Sequence, residues 1–159
     1  MKNTFTKDKK YIIMCLYFVL LFSWLFFIFS NSLSTGEEST RQSKKVVEIS
    51  QKIVSIFDED AVVDSSDIRT SAHFIEFFVL GILYILGTLF FKNNRGFLVV
   101  SSVSLSLFTA LVDETIQMNV KGRGSQVIDV WVDFLGAIVA HFFVIFVLYL
   151  IKLKKSKQN

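Results

Sequence analysis

The sequence predicts an all-α protein: an integral membrane four-helix bundle with an extracellular amphipathic helix between the first and second spans. Two observations support this prediction. Hydrophobic residues make up 52% of the 159 residues, and the mean hydropathy is +0.53. These residues are concentrated in four runs, each long enough to cross the hydrocarbon core of a bilayer, which is about 30 Å thick. The composition therefore does not fit an ordinary soluble domain or a disordered chain.

The first predicted span is the run Tyr11–Phe29, which carries no charge. Its 19 residues would form a helix of roughly 29 Å, at about 1.5 Å per residue. A cleaved signal peptide is the alternative, because four lysines precede the run and the small residues Ser30–Ser32 follow it. The run is longer than the apolar part of a usual signal peptide, so we expect it to remain as an anchor.

The other three spans each contain a few polar residues. With no proline in the chain, no sharp helix kink is predicted. The predicted segments are a tail at residues 1–10, spans at about 11–29, 72–91, 96–117 and 127–151 within a membrane domain covering 11–151, an outer loop at 30–71, and a basic tail at 152–159.

The basic residues predict the orientation. Ten of the 17 lie in three segments: four in each tail, and Lys92 and Arg95 between spans two and three. Four spans place these segments on one side, which is cytoplasmic by the positive-inside rule. The loop at residues 30–71, with five basic and eight acidic residues, then lies outside. We therefore expect a multi-pass protein of the cell membrane with both termini in the cytoplasm.

The outer loop contains its own periodic pattern. Val46, Ile49, Ile53 and Ile56 recur at three- and four-residue intervals between residues 40 and 57, with polar residues between them. This spacing predicts an amphipathic helix of about 18 residues. Two placements fit such a helix: on the outer membrane surface, or across the ends of the spans as a cap.

Polar residues inside the spans cluster at one end. With the predicted orientation, every ionisable residue within or bordering spans two to four, except His141, falls at the outer end of the bundle. Carboxylates in a membrane are tolerated where they face a partner or a wet cavity, so we expect one polar pocket open to the outer leaflet. The predicted ligand-binding residues are His73, Glu76, Asp113, Gln117, Arg123, Ser125, Asp129 and Asp133.

Other charged residues at the ends of the spans have a simpler interpretation as markers of the membrane boundary. We favour that interpretation for Glu114 and Lys121. A pocket role is favoured for Glu76 and Asp133, because each lies at least one turn inside an apolar run. The mid-span His141 is expected to pack through hydrogen bonds rather than to bind a ligand.

Arg123 is the only arginine near the polar ends of spans three and four. Uncompensated carboxylates in a low-dielectric site are costly, so one positive charge should be drawn in among them. We therefore expect Arg123 to fold inward onto Asp129 or Asp113 rather than into solvent.

Composition and motifs exclude several classes of function. The single cysteine excludes an internal disulfide and a cysteine-based metal site. The net charge of +3 is small and is explained by membrane topology, which excludes a nucleic-acid partner. Neither H-E-x-x-H nor G-x-S-x-G is present. No metal site is assigned, the cofactor is unknown, and the lipid bilayer is the partner that the sequence requires.

Two segments resemble the VanZ-like family of membrane proteins. The run RTSAHFIEFFVLGILY at residues 69–84 is similar to the family pattern R-x-x-x-H-F-x-E-[FY]-x-x-L-G. The run DETIQMNVKGRGSQVIDVWVDFLGA at residues 113–137 resembles D-E-x-x-Q followed by G-R-x-x-x-x-x-D-[VL]-x-x-N-x-x-G. The residues SNSLS at 30–34 also fit the family, and order and spacing are preserved over nearly the whole chain.

This chain departs from the family pattern at two positions. Lys121 stands where the family often has proline, and Asp133 stands where it commonly has asparagine. The second change adds a negative charge to the predicted pocket, which favours a protonated Asp133 or a cation as its partner.

The resemblance implies a bacterial cell-envelope setting and an envelope lipid, a glycan-lipid or a cell-wall precursor as ligand. The family is named for a protein associated with resistance to the glycopeptide teicoplanin in Gram-positive bacteria. A binding or envelope-modulating protein is the favoured hypothesis, with Arg123 pairing with an anionic group. The alternative is an intramembrane enzyme acting on a lipid-linked substrate. In that case His73 and Glu76 would be the catalytic acid/base pair, and Asp113 and Asp129 would hold a metal ion.

Overall fold

The computed structural model describes residues 2–56, 62–91, 94–124 and 126–156, with only the backbone described for residues 2–7 and 45. Every regular element in these ranges is helical. A single 3₁₀ turn, Thr88–Phe90, follows the third helix. The helices are α1 (Lys2–Ser32), α2 (Gly36–Val54), α3 (Ser65–Gly87), α4 (Arg95–Met118) and α5 (Val127–Ser156).

Four of these helices are long and apolar enough to cross a membrane, which confirms the predicted fold class. The apolar helical segments are Asp8–Ser32, Ser65–Phe90, Arg95–Met118 and Val127–Ser156. The third helix begins two turns earlier than the apolar run that predicted it, because the polar residues before Ala72 continue the helix. Large apolar side chains on α1 such as Leu16 and Phe26 are exposed, as expected for a surface that faces lipid.

Helix α3 lies at the centre of the bundle and packs against α1, α2, α4 and α5. Its closest partner is α5, where two glycines let the backbones approach. A Cβ atom on Gly81 would lie 2.7 Å from the carbonyl oxygen of Ala137, and one on Gly136 would overlap the carbonyl oxygen of Phe74. Any larger residue at these positions must therefore push the two helices apart.

Buried polar side chains in the middle of the bundle form hydrogen bonds with one another and with backbone carbonyls. Nδ1 of His141 lies 2.7 Å from the Ala137 carbonyl oxygen, and Nε2 lies 3.0 Å from the Ser102 hydroxyl. The expected packing role of His141 is thereby confirmed. Tyr84 and Thr109 share a hydrogen bond of 2.8 Å between α3 and α4.

The predicted amphipathic helix is present as α2, although it begins four residues before the predicted start. Thr35 caps it, because its hydroxyl accepts a hydrogen bond from the Glu38 backbone N–H and its own N–H donates to the Glu38 carboxylate. The Thr35 backbone N–H and hydroxyl, which both donate to the Glu38 carboxylate, lower the pKa of that carboxyl and favour its charged form. The capping box explains why the helix extends beyond the apolar pattern.

The apolar stripe of α2 does not pack on the bundle. Val46, Ile49 and Ile53 are 48%, 60% and 54% exposed. The helix contacts α3 through a different face, on which Ser39 is buried. A helix that leaves its apolar stripe open in this way has the geometry of a helix lying at a membrane interface.

The turn between α4 and α5 is held against the start of α2. The Gly36 N–H donates to the Lys121 carbonyl oxygen at 3.2 Å. Gly122 adopts a φ of 77°, a left-handed conformation that favours glycine. The two glycines approach so closely that a Cβ atom on Gly36 would overlap the Gly122 carbonyl. This contact directs the following residue, Arg123, toward the end of α1.

Candidate functional site

The candidate site lies where α1 and α4 end and α3 and α5 begin, which we call the polar end. Asp113, near the end of α4, is fully buried there. One of its oxygens accepts a hydrogen bond from the Ser32 hydroxyl of α1, and the other accepts one of 2.7 Å from the Gln117 side-chain amide. The four-residue spacing of Asp113 and Gln117 on α4 makes the second bond possible.

His73 of α3 lies between two buried carboxylates. Its Nδ1 is 3.9 Å from Oδ2 of Asp113 and 3.5 Å from Oδ1 of Asp133 on α5. Asp133 has no exposed surface, and neither of its oxygens has a hydrogen-bond partner among the described residues. Three helices thus bring one imidazole and two carboxylates to a single point.

Glu76 lies on the α1 side of α3. One of its carboxylate oxygens accepts a hydrogen bond of 2.9 Å from the Asn31 side-chain amide. Its backbone carbonyl accepts a second bond, of 3.0 Å, from the Trp24 indole N–H. These two contacts fix α3 to the last turns of α1 and account for a carboxylate inside an apolar segment.

Arg123 does fold inward, but the expected ion pair with Asp129 or Asp113 is wrong. Its guanidinium donates to the carbonyl oxygens of Ser34 and Asn31 and to the Gln117 side-chain oxygen. The carbonyl groups at the C-terminal end of a helix have no partners within the helix, and this explains their attraction for a cation. Arg123 reaches Asp113 only through Gln117, the shared hydrogen-bond partner. Burial lowers the pKa of Arg123 from its ordinary value, and the nearby Arg69 adds to that shift.

The other two predicted site residues differ in placement. Asp129 is half-buried and lines a small cavity with His73 and Gln117, together with Arg69, rather than meeting Asp113 directly. Ser125 lies outside the described residues. The structure therefore brings together His73, Glu76, Asp113, Gln117, Arg123 and Asp133, and places Asp129 at the border of that group.

A groove of about 380 Å³ opens beside this group, between α2 and the first turns of α3. Arg69 and Arg123 provide its positive charge, and Glu76 and His73 line it as well. Its other walls come from both helices and the end of α1. They are formed by Asn31, Ser39, Gln42, Ser43, Val46, Ile68, Ser71, Ala72 and Ile75.

Three residues of the polar end were missed by sequence reasoning. Asn31 and Ser32 were noted at the end of an apolar run and in the family-like SNSLS segment but were not assigned to the site, yet they bind Glu76 and Asp113. Their position in the membrane could have indicated this role. These two small polar residues end span one at the same membrane depth as the acidic residues of the other spans. Arg69 lay within the family-like segment but was not assigned to the site.

Four helices able to span a membrane, joined at one end by a buried polar cluster, define a polytopic membrane protein. A family model described as VanZ/LLP1 matches residues 14–151, so the chain belongs to the VanZ/LLP1 family. This match confirms the resemblance seen in the sequence. No curated protein and no solved structure matches the chain significantly.

Proposed function

We propose that this VanZ/LLP1-family protein binds the anionic head group of an envelope lipid in the groove between α2 and α3. The observation that carries the proposal is the groove itself, which places two guanidinium groups beside apolar walls at one end of a membrane bundle. Arg69 lines the groove directly and donates no hydrogen bond to any residue in the described part of the chain. Guanidinium is the side chain best suited to the paired oxygens of a phosphate.

The other lining residues suit the remainder of such a head group. Gln42 and Ser43 of α2 offer an amide and a hydroxyl to the sugar or glycerol part of a lipid. The Glu76 carboxylate, held by Asn31, accepts hydrogen bonds from hydroxyl or amine groups. Val46, Ile68 and Ile75 provide apolar walls for the start of the acyl or prenyl chain.

The proposed membrane setting follows from charge and from α2. The positive-inside rule assigns both termini to the cytoplasm and the polar end to the outside. The exposed stripe of α2 would then lie in the outer leaflet, with the groove at head-group level. We extend the proposal to a cell-wall precursor as the lipid and to glycopeptide (teicoplanin) resistance because of the association that names the family.

An intramembrane enzyme acting on a lipid-linked substrate is the second candidate. The convergence of His73, Asp113 and Asp133 beside the groove favours it. The acid/base pair considered from the sequence takes a different form here, because His73 faces the two aspartates while Glu76 binds Asn31. Turnover of a lipid-linked substrate by purified protein would distinguish this candidate from a binding protein.

The head-group proposal is tested by lipid retention. The wild type and two variants, Arg69→Gln and Arg41→Gln, would be purified in mild detergent and compared by native mass spectrometry. Arg41 is the matched control, because it lies on the exposed side of α2 outside the groove. After removal of endogenous lipid, phosphatidylglycerol and phosphatidylcholine would be added back separately.

We expect the wild type and Arg41→Gln to retain an anionic lipid and Arg69→Gln to lose most of it. Phosphatidylglycerol should rebind in preference to phosphatidylcholine. Equal retention by all three proteins, or equal rebinding of the two lipids, would contradict the proposal.

A further inference from the structure

The geometry points to a site for a divalent cation of the Zn²⁺ or Mn²⁺ class at the polar end, with His73, Asp113 and Asp133 as its protein ligands. The proposal goes beyond head-group binding and does not depend on it. The sequence assigned no metal, and in the enzyme hypothesis it paired Asp113 with Asp129. The structure instead selects Asp133, one turn deeper on α5.

The three candidate ligand atoms lie somewhat farther apart than the ligands of a bound metal ion, but within reach of one. Nδ1 of His73 and one oxygen from each aspartate all lie within 4.8 Å of one another. The two measured separations from Nδ1 are 3.5 Å to Asp133 and 3.9 Å to Asp113. With metal–ligand bonds of about 2.0–2.1 Å, a tetrahedral ion separates its ligands by about 3.3 Å. A small inward movement of side chains would therefore complete the coordination.

The second, independent observation is the state of Asp133. This carboxylate is fully buried, and both of its oxygens are without a hydrogen-bond partner among the described residues. Buried carboxylates are normally paired or bound to a metal, because desolvation of a lone charge is very costly. Nδ1 of His73, which faces Asp133, also has no hydrogen-bond partner in the described part of the chain.

Arg123 does not neutralise the charge of Asp133. Arg123 directs its three hydrogen bonds to Ser34, Asn31 and Gln117 rather than to either aspartate. A divalent ion with two carboxylates and a neutral imidazole would leave the three-ligand site with no net charge.

Hydrogen bonds hold the Asp113 carboxylate in place, as is common for carboxylates that bind metals. Ser32 and Gln117 each donate to one of its oxygens, and Arg123 in turn holds the Gln117 side-chain oxygen. Hydrogen bonds of this kind orient metal ligands and raise metal affinity. They use one lone pair on each Asp113 oxygen and leave another available for an ion.

The donor set selects the class of ion. One imidazole nitrogen with two carboxylate oxygens suits Zn²⁺ or Mn²⁺, whereas Mg²⁺ and Ca²⁺ prefer oxygen ligands alone. Three protein ligands leave a coordination position open, as in catalytic rather than structural zinc sites. His73 also lines the groove, so the proposed metal site lies directly beside it.

The test is metal uptake by purified protein. The chain would carry an affinity tag without histidines, and would be stripped with a chelator before titration with Zn²⁺, Mn²⁺ and Mg²⁺ by calorimetry. Elemental analysis would give the stoichiometry. We expect one Zn²⁺ or Mn²⁺ per chain, with Mg²⁺ binding much more weakly. Failure of the wild type to bind either ion would overturn the proposal.

Two neutral variants of one helix provide the matched comparison. Asp133→Asn removes a proposed ligand, whereas Asp129→Asn removes the same charge one turn away on α5. We expect Asp133→Asn to weaken binding by more than about tenfold, which is at least the effect of losing an outer-shell partner. Asp129→Asn should bind nearly as the wild type does. Equal weakening in both variants would refute the site, because binding would then follow net charge.

A third variant keeps the test valid if one of the others does not fold. If Asp133→Asn gives no folded protein, His73→Gln carries the same test from α3, and unchanged metal uptake there would also overturn the proposal. Arg69→Gln should keep full metal uptake while losing lipid. That result separates failure of this site from failure of the head-group proposal.

Discussion

Replacing Arg123 with alanine tests how the polar end is held together. The guanidinium connects the turn before α5 to the end of α1 through the Ser34 and Asn31 carbonyls, and to α4 through Gln117. Arg123→Ala removes all three bonds and leaves their acceptors half-buried. It also removes the group that orients Gln117 toward Asp113.

The size of the effect follows from those bonds. A hydrogen bond from a charged donor contributes about 1.5–3 kcal/mol, but half-exposed acceptors recover part of this from water. We therefore expect the free energy of unfolding to fall by about 2–4 kcal/mol. At about 2–4 °C per kcal/mol for a chain of this size, the thermal midpoint should fall by roughly 5–15 °C.

The assay is thermal unfolding in detergent, followed by loss of monodisperse protein on size-exclusion chromatography. Lys121→Ala is the control, because it removes a basic side chain from the same turn that is exposed to solvent. Arg123→Lys should lie between the two, since an ammonium keeps the charge but not the planar set of donors.

A midpoint for Arg123→Ala within about 1 °C of the Lys121→Ala value, which corresponds to under 0.5 kcal/mol, would refute this reasoning. It would mean that the three bonds are replaced by water at no cost. An equal loss in Arg123→Lys and Arg123→Ala would show instead that the fork geometry matters and the charge does not.

Two other predictions concern packing and topology. Gly136→Ala should lower the thermal midpoint, because its Cβ would overlap the Phe74 carbonyl and overpacking costs about 1–3 kcal/mol. Gly124→Ala, with open space around its Cα, should leave the midpoint unchanged, and equal midpoints in the two variants would contradict this account of the α3–α5 contact. Reporter fusions after residue 60 and at residue 159 should report outside and inside respectively. An inside signal from the first or an outside signal from the second would reverse the proposed orientation.

Several features of the candidate site were predictable from spacing within one helix. Asp113 and Gln117, four residues apart, do form a hydrogen bond on one face of α4. The position of His73 at the same end as Asp133 followed from the direction in which each span runs. Neither inference required knowledge of how one helix packs against another.

Contacts between different helices could not be predicted from the sequence in this way. Asn31 and Ser32 entered the site only because the end of α1 packs beside α3 and α4, where they meet Glu76 and Asp113. Arg123 was expected to pair with a carboxylate, but it donates to the Asn31 and Ser34 carbonyl oxygens, at and just beyond the end of α1. The spacing of residues in the sequence does not show which of these acceptors the guanidinium reaches.

The sequence by itself determined the class of the molecule: four spans, an amphipathic helix after the first, polar residues gathered at one end, and membership of a family. The length of each apolar run relative to the bilayer thickness, the spacing of apolar residues, the direction of each span and the family motifs decide these features. All of them can be identified along the chain without knowing how the helices pack. The tertiary structure decided that His73 faces Asp133 and that α2 leaves its stripe open. Those outcomes depend on the rotation of each helix about its axis and on close backbone contacts at Gly81 and Gly136, which spacing along a single helix does not specify.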